Sequence, residues 1–190
     1  RMSEKILTRN FYRGDSHTLT VYRERGGYAA VPKALGMAPA AITEEVKRSN
    51  LRGLGGAGFP CGAKWGFIPR DKPGPRYLVI NADEGEPGTF KDRYLLERDP
   101  HSLIEGMIIS AYAIGAHLAF IYIRGEYVRP WQIVSAAVRE AYDAGFLGRN
   151  ILGSGFDLDI IIHRGAGAYI CGEETGLISS LEGKKGWPKL

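Results

Sequence analysis

Three stretches of this sequence gather the residues that could do chemistry. The first is Arg52 to Phe67, "RGLGGAGFPCGAKWGF", with five glycines in its first eleven residues, then a cysteine, a lysine and two aromatics. The second is Asn81 to Asp92, "NADEGEPGTFKD", which holds Asp83, Glu84, Glu86 and Asp92. The third is His163 to Gly176, "HRGAGAYICGEETG", which repeats the combination of small residues and acids.

In the first stretch, Gly53, Gly55, Gly56 and Gly58, with the small Ala57 among them, let a backbone come close to an anion and take positive φ. A helix start near Ala63 would offer free N–H groups to a phosphate, and Lys64 in its first turn would add a point charge. The stretch matches neither standard phosphate signature. It lacks a Gly-Lys-Ser/Thr ending, and it follows a helix rather than a strand. A tight structural turn accounts for the glycines equally well. Phe59 and Phe67 suggest a planar ring stacked nearby, although each could equally be core.

In the second stretch the carboxylates repel one another and would repel phosphate. They suit hydroxyl-rich partners such as ribose or ribityl, or an electropositive ring edge. Clustered acids also bind Mg²⁺ or Ca²⁺, but the regular D-x-D-x-D-G spacing is missing. A solvated turn around Pro87 and Gly88 is the third reading. In the third stretch, Glu173 and Glu174 fall at a helix N-terminus, where acids are favoured for local reasons alone. Tyr169 could pack or donate a hydrogen bond. Cys171 reads better as a buried structural thiol than as a nucleophile. The four histidines show no triad or metal pattern.

These stretches need elements to hold them. "RYLVINA", "HLAFIYIR" and "LDIIIHR" are compact apolar runs of the kind found in buried parallel strands. Between them, "HSLIEGMIISAYAIGA" puts Leu103, Met107, Ala111 and Ile114 on one helical face. "WQIVSAAVREAYDAGF" spaces Trp131, Val134, Val138, Ala141 and Tyr142 likewise. "GYAAVPKAL" and "APAAITEEVKRSN" read as two short helices, "HTLTVYRE" as a weak strand, and "GEETGLISSLEG" as a helix stopped at Gly183. Strands alternating with helices predict an α/β sandwich with a largely parallel sheet. In such sheets ligands sit beyond the carboxyl ends of the strands. That rule selects the second and third stretches, together with "GEYVRP".

Bulk properties agree with one ordinary domain. The chain has 190 residues, 44% of them hydrophobic and 24% charged. A net charge of +4, spread along the chain without a basic block, gives no footing for nucleic-acid binding. The longest apolar run carries Ser110 and His117 and is broken by Gly115, so it reads as helix then strand and not as a membrane span. The N-terminus lacks an apolar signal core, and Arg1 ahead of Met2 suggests a processed, tagged or cropped end. Cys61 and Cys171 stand far apart with no C-x-x-C, so no self-contained zinc or iron–sulfur site is expected, and no metal ligands are assigned.

"RGLGGAGFPCGAKW", "NADEGEPGTFKDR", "ERDPHSLIEGMIISAYAIGA", "YIRGEY" and "GAGAYICGEETGLISSLEG" together resemble the NADH-binding flavoprotein subunit of respiratory complex I, most of all the bacterial form. The resemblance covers residues 26–190, with 1–25 as a less clearly matching lead-in. It implies a non-classical Rossmann-like α/β domain with helices on both faces of the sheet, FMN as cofactor and NADH as substrate, with hydride transfer to FMN and electrons leaving through an iron–sulfur chain toward quinone. The same module serves as the diaphorase subunit of NAD-linked hydrogenases and formate dehydrogenases, which is the alternative reading. The resemblance implies that Gly53 to Gly62 and Lys64 hold the phosphate region of FMN. It assigns Asn81, Asp83 and Glu84 to the flavin and its ribityl chain, and Tyr169, Gly172, Glu173 and Glu174 to the isoalloxazine and nicotinamide side. Phe59 and Phe67 would flank the adenine of NADH, Glu86 would contact NADH near its ribose or nicotinamide, and Lys184 would approach the outer dinucleotide. Catalysis would be carried by the cofactors, with no acid–base residue. The family chain continues past residue 190 with a further FMN-binding segment, a ubiquitin-like domain and a helical domain. Four cysteines of the last bind a 4Fe–4S cluster, so that cluster is expected in a longer chain. The implied partners are the thioredoxin-like 2Fe–2S subunit and the iron–sulfur subunit of the peripheral arm. The implied place is the cytoplasmic side of the inner membrane without insertion into it, or the matrix side in a eukaryote.

Overall fold

The computed structural model describes residues 5–69 and 71–189; the Arg1–Met2 end lies outside the described residues. Three strands, β1 (Tyr77–Ala82), β2 (Leu118–Ile123) and β3 (Asp159–Arg164), form one sheet in the order β1-β2-β3. Both pairings are parallel, with Ile80 opposite Ile121 and Ile121 opposite Ile162. Eight helices accompany them among the described residues. They are α1 (Leu19–Glu24), α2 (Ala30–Leu35), α3 (Pro39–Arg48), α4 (Cys61–Gly66), α5 (Lys91–Arg98), α6 (Pro100–Ile114), α7 (Val128–Asp143) and α8 (Glu174–Leu181).

The two long helices are the crossovers. Pro100 opens α6 at a position where its missing N–H costs nothing, and Gly115 closes it at φ 73°, a left-handed turn that a Cβ would strain. Ile104, Met107, Ile108 and Ala111 of α6 share one core with Val134, Ala137, Val138 and Ala141 of α7 and with Ala119, Ile121 and Ile123 of β2. Successive strand residues face opposite ways, so the other face of β2 carries Tyr122, which packs with Val79, Cys171, Leu177 and Leu181. The crossover helices therefore lie on one face of the sheet and α8 on the other, as an α/β domain requires. Cutting a side chain such as Ile121 back to alanine in this core costs about 2–5 kcal/mol.

Two expectations change. "HTLTVYRE" is not a strand: Thr18 Oγ1 caps Val21 N–H and the segment winds into α1. Its Tyr22 and the following Tyr28 are buried in the main core, so tertiary packing overrides β-branched propensity. The second change is α5, which begins inside the acidic stretch and covers residues for which the sequence suggests no element. It is short and polar, and only Leu96 of its residues is buried, so it has little periodic signal to find. The Gly-rich stretch leads into α4 at Cys61, two residues before the expected start.

Candidate functional site

The loops that leave the three strands are bound to one another at the carboxyl edge of the sheet. Arg124, just past β2, donates from Nη1 to the Glu84 carbonyl at 2.9 Å. Arg164, at the end of β3, donates from Nε to the Gly125 carbonyl at 2.8 Å. Asn81 Nδ2 reaches the Gly172 carbonyl at 2.9 Å, and Tyr169 donates its hydroxyl proton to Glu86 Oε2 at 2.8 Å. The β2 and β3 loops touch so closely that a Cβ on Gly125 would lie 2.5 Å from Gly165 O. Glycine is required there by proximity rather than by φ.

The acidic loop divides its carboxylates between interior and cleft. Glu84 is buried. Its Oε1 accepts from the Asp92 N–H at 2.9 Å, and its Oε2 accepts from the Arg93 N–H at 3.2 Å and the Tyr127 hydroxyl at 2.9 Å. It therefore caps the start of α5, where free N–H groups and the helix dipole favour an anion. Burial pushes its carboxyl up, but the Asp92 N–H, the Tyr127 hydroxyl and the Arg93 N–H outweigh that and hold it below the ordinary value. Asp83 is the opposite case. Its Oδ2 is out of solvent with no hydrogen-bond partner, and burial raises its carboxyl, opposed by nearby Arg124 and reinforced by Glu126. A buried carboxylate oxygen without a donor is one a ligand could satisfy.

In the third stretch, Glu173 caps α8 from its N-terminal side. Its Oε2 accepts from Gly176 N–H at 2.8 Å and from the Thr175 hydroxyl at 2.6 Å, which together lower its carboxyl. Glu174 instead faces outward to Lys64, with Nζ–Oε1 at 2.9 Å. That pair links α4, into which the Gly-rich loop leads, to the start of α8. The Gly-rich loop is closed at its neck: Gly53 N–H reaches Phe59 O at 3.1 Å and Cys61 N–H reaches Leu51 O at 2.8 Å. Of its glycines only Gly58 has positive φ, and a Cβ on Gly55 or Gly56 would meet nothing within 4 Å. These glycines stand before open space, as a loop that cradles another molecule would.

Between these loops lies a cleft of about 530 Å³, a size usual for cofactor-sized ligands. Of the residues singled out in the sequence, Gly55, Asn81, Asp83, Glu84, Glu86, Asp92, Tyr169, Gly172 and Glu173 line it. Lys64 and Glu174 stand outside that lining, joined to each other. Phe59 and Phe67 also stand outside it. They are half or more exposed and their rings lie 5.8 Å apart at 49°, which makes them a loose aromatic pair. Lys184 is taken up by Glu182 at 2.8 Å and does not reach the cleft. Sequence reasoning missed Lys91 and Thr89, which also line the cleft. Lys91 was hidden by the surrounding acids, one of which, Asp92, it pairs with at 2.8 Å. Among the described residues no three His, Cys, Asp or Glu side chains converge in a way that could hold a metal ion.

A parallel sheet whose strand-end loops, rich in glycine and carboxylate, close round a cleft defines an α/β domain of the kind that binds a cofactor-sized ligand at its carboxyl edge. A family model described as the Nuo51 FMN-binding domain matches residues 46–190, and the chain belongs to that family. It is 58% identical over 190 residues to an NADH-quinone oxidoreductase subunit of Rhizobium meliloti, covering 100% of this chain and 45% of that protein. It is 63% identical over 174 residues to the corresponding NADH-quinone oxidoreductase subunit of Aquifex aeolicus, covering 92% of this chain and 41% of that one. The chain thus spans somewhat under half the length of these curated relatives. A crystal structure of an NAD⁺-reducing NiFe hydrogenase in the H₂-reduced state superposes with a TM-score of 0.76 at 43% identity, covering 90% of this chain and 29% of that one. No helix among the described residues is long and apolar enough to cross a membrane.

Proposed function

We propose that this chain forms the FMN- and NADH-binding part of a flavoprotein subunit that oxidises NADH. The observation that carries the reading is the convergence of the acidic loop and the third stretch on one cleft, in a chain of an FMN-binding-domain family. Three features of the cleft and the loops around it fit FMN. Asp83 Oδ2 lacks a donor, which a ribityl hydroxyl or a ring N–H supplies. The glycines at 55 and 56 leave open space for a phosphate-bearing chain. Outside the cleft lining, at the end of the Gly-rich stretch, Lys64 is an exposed cation paired with the equally exposed Glu174 of α8.

When bound, FMN supplies the redox chemistry, taking two electrons as hydride and releasing them singly. The chain's own residues bind and orient. Asn81 and Asp83 face the flavin and ribityl side. Glu84 acts from inside, holding the loop on α5. Gly172 leaves room for the ring, and Glu173 fixes the start of α8 beside it. Tyr169 holds Glu86 in place to contact NADH. Lys64 with the Gly-rich loop takes the phosphate, Phe59 and Phe67 flank the adenine, Glu174 lies toward the nicotinamide side, and Lys184 serves the outer dinucleotide. The carboxylates that line the cleft would make added negative charge there unfavourable and would tune the redox chemistry that FMN would supply.

The relatives support NADH-quinone oxidoreductase as the whole assembly. In that reading a longer chain carries a 4Fe–4S cluster. The partners are the 2Fe–2S and iron–sulfur subunits of a peripheral arm held at the cytoplasmic face of the membrane, or at the matrix face in a eukaryote. The NAD⁺-reducing hydrogenase favours a second reading, a diaphorase subunit, with the same cleft chemistry. Identities of 58% and 63% to the quinone-linked relatives, against 43% to the hydrogenase chain, favour the first reading over the second. Reconstituting the full-length subunit with FMN tests the proposal. Retention of flavin after gel filtration and bleaching of its visible band by NADH are expected, and a subunit that retains no flavin contradicts it.

A further inference from the structure

Resting on the reading of the cleft as a flavin site, we infer that Arg124 is a positioning residue of that site, which clamps the acidic loop and places a positive charge beside Asp83. The β2–α7 turn, from Arg124 to Tyr127, grips Glu84 at both ends. The Arg124 guanidinium holds the Glu84 carbonyl at 2.9 Å and the Tyr127 hydroxyl holds its carboxylate at 2.9 Å. The guanidinium is itself aimed by Glu126, 3.1 Å from Nε, and by the Tyr127 ring, 5.8 Å below Cζ. Its backbone N–H continues the sheet ladder to Ala82 O at 3.2 Å. Arg124 is thus anchored at both ends, and the loop that carries Asp83 and Glu86 is fixed to it.

Behind the main cleft is a chamber of about 40 Å³ lined by Asp83, Arg124, Gly85 and Gly167 to Tyr169. It has room for about one water. Arg124 and Asp83, whose Oδ2 has no partner, both line this chamber, and the guanidinium's charge acts on that carboxylate. The groups set around Asp83 are Arg124 and Glu126 from the β2–α7 turn, Tyr122 from β2, Tyr169 and Glu173 from the segment leading into α8, and Glu86 from its own loop. Arg124 is the cation whose charge acts on Asp83; Lys91, which lines the same cleft, pairs with Asp92 at 2.8 Å and lies 3.7 Å from Glu84. Burial and Glu126 press Asp83 toward its neutral form, and Arg124 opposes them. The charge state matters because an ionised Asp83 only accepts hydrogen bonds, whereas a protonated one presents a donor to the ligand.

The test uses the full-length subunit, stripped of flavin, with ¹³C-labelled aspartate carboxyls; the Asp83 signal is identified by its loss in Asp83→Asn. Arg124→Gln is expected to raise the midpoint of the Asp83 titration by about one pH unit, and Arg124→Lys to leave it near the wild-type value. In a parallel flavin-fluorescence titration, Arg124→Gln is expected to weaken FMN binding about tenfold and to move the acid limb of the binding profile up with Asp83. Arg124→Lys should restore that limb but only part of the affinity, because one ammonium cannot reproduce the fork that reaches Glu84 and Glu126 together. Should Arg124→Gln fail to fold by circular dichroism, Glu126→Gln replaces it and is expected to lower the Asp83 midpoint. An Asp83 titration and an FMN affinity both indifferent to these changes overturn the inference. A wild-type subunit that binds no FMN while its Asp83 still titrates in step with Arg124 rejects the flavin reading alone.

Discussion

Lys64 Nζ and Glu174 Oε1 lie 2.9 Å apart, joining the Gly-rich loop region to the start of α8 across 110 residues of sequence. Both side chains are well over half exposed, and exposed pairs of this kind contribute at most about 1 kcal/mol. A dianionic phosphate can therefore take Lys64 over at little cost. Lys64→Met is expected to leave thermal stability almost unchanged while lowering FMN affinity about tenfold or more, read by flavin fluorescence. Equal losses of stability and affinity would assign Lys64 to structure instead.

Glu84 is expected to matter more for order than for direct contact. Its carboxyl sits below its ordinary value of 4.5 because the Asp92 N–H, the Tyr127 hydroxyl and the Arg93 N–H outweigh the cost of burial. An acid lowered in the fold stabilises above its unfolded value, and that contribution is lost as pH falls through the lower folded value. Tyr127→Phe should cost about 1–2 kcal/mol. Glu84→Gln should speed hydrogen exchange at the first amides of α5 and remove the acid-dependent part of that exchange. Unchanged protection of the Asp92 and Arg93 amides in Glu84→Gln would refute the capping role.

His101 is fully buried between Tyr28 and Glu140. Glu140 can only accept, so Nε2 carries the proton donated to it at 2.9 Å, and Nδ1 accepts the Tyr28 hydroxyl at 2.9 Å. Glu140 Oε2 also accepts the Leu19 N–H at 2.9 Å, so this network fastens the N-terminal helices to α6 and α7. Burial lowers His101 from 6.5, and Glu140 only partly offsets it. The unfolded chain therefore takes up the proton first. The contribution is whole above 6.5 and declines as pH falls toward the folded value. The melting temperature of the wild type should drop between neutral pH and about pH 5, and His101→Gln should flatten that part of the profile at a lower overall stability. A variant whose slope matches the wild type would show that other groups set it.

Gly125→Ala places a Cβ 2.5 Å from Gly165 O and 2.9 Å from Gly167 N, both backbone atoms that cannot swing aside. It should cost about 2 kcal/mol or more in stability and loosen the cleft. Gly106→Ala, whose Cβ meets nothing within 4 Å, is the control and should be neutral or stabilising in the middle of α6. Similar melting temperatures for the two variants would contradict the close approach of the β2 and β3 loops.

Much of this could be read from the sequence. The apolar runs at Tyr77, Leu118 and Asp159 and the spacing of Met107, Ala111, Val134 and Val138 specified the sheet and its crossovers. Burial periodicity is a property of the chain itself. The rule that ligands meet strand ends then located the acidic and third stretches. What escaped depends on contacts between distant residues. Whether Glu84 points into the cleft or onto α5 is decided by free N–H groups eight and nine residues away. Whether Glu173 or Glu174 caps α8 turns on one step of helix register. The need for glycine at 125 comes from a backbone some forty residues on, and the helical fate of "HTLTVYRE" comes from the core that Tyr22 enters.

The central claim is that the cleft at the carboxyl edge holds FMN where NADH can reduce it. An anaerobic titration of the FMN-loaded full-length subunit with NADH tests this most directly, set beside Gly172→Val, which adds a branched side chain to the cleft lining where a Cβ would already lie 3.5 Å from Asp83 Oδ2. The account predicts stoichiometric bleaching of the visible flavin band in the wild type, and a folded Gly172→Val subunit that no longer retains flavin. Retention and NADH-driven bleaching of FMN at wild-type levels in Gly172→Val, or a loaded wild type that NADH does not bleach, would contradict it.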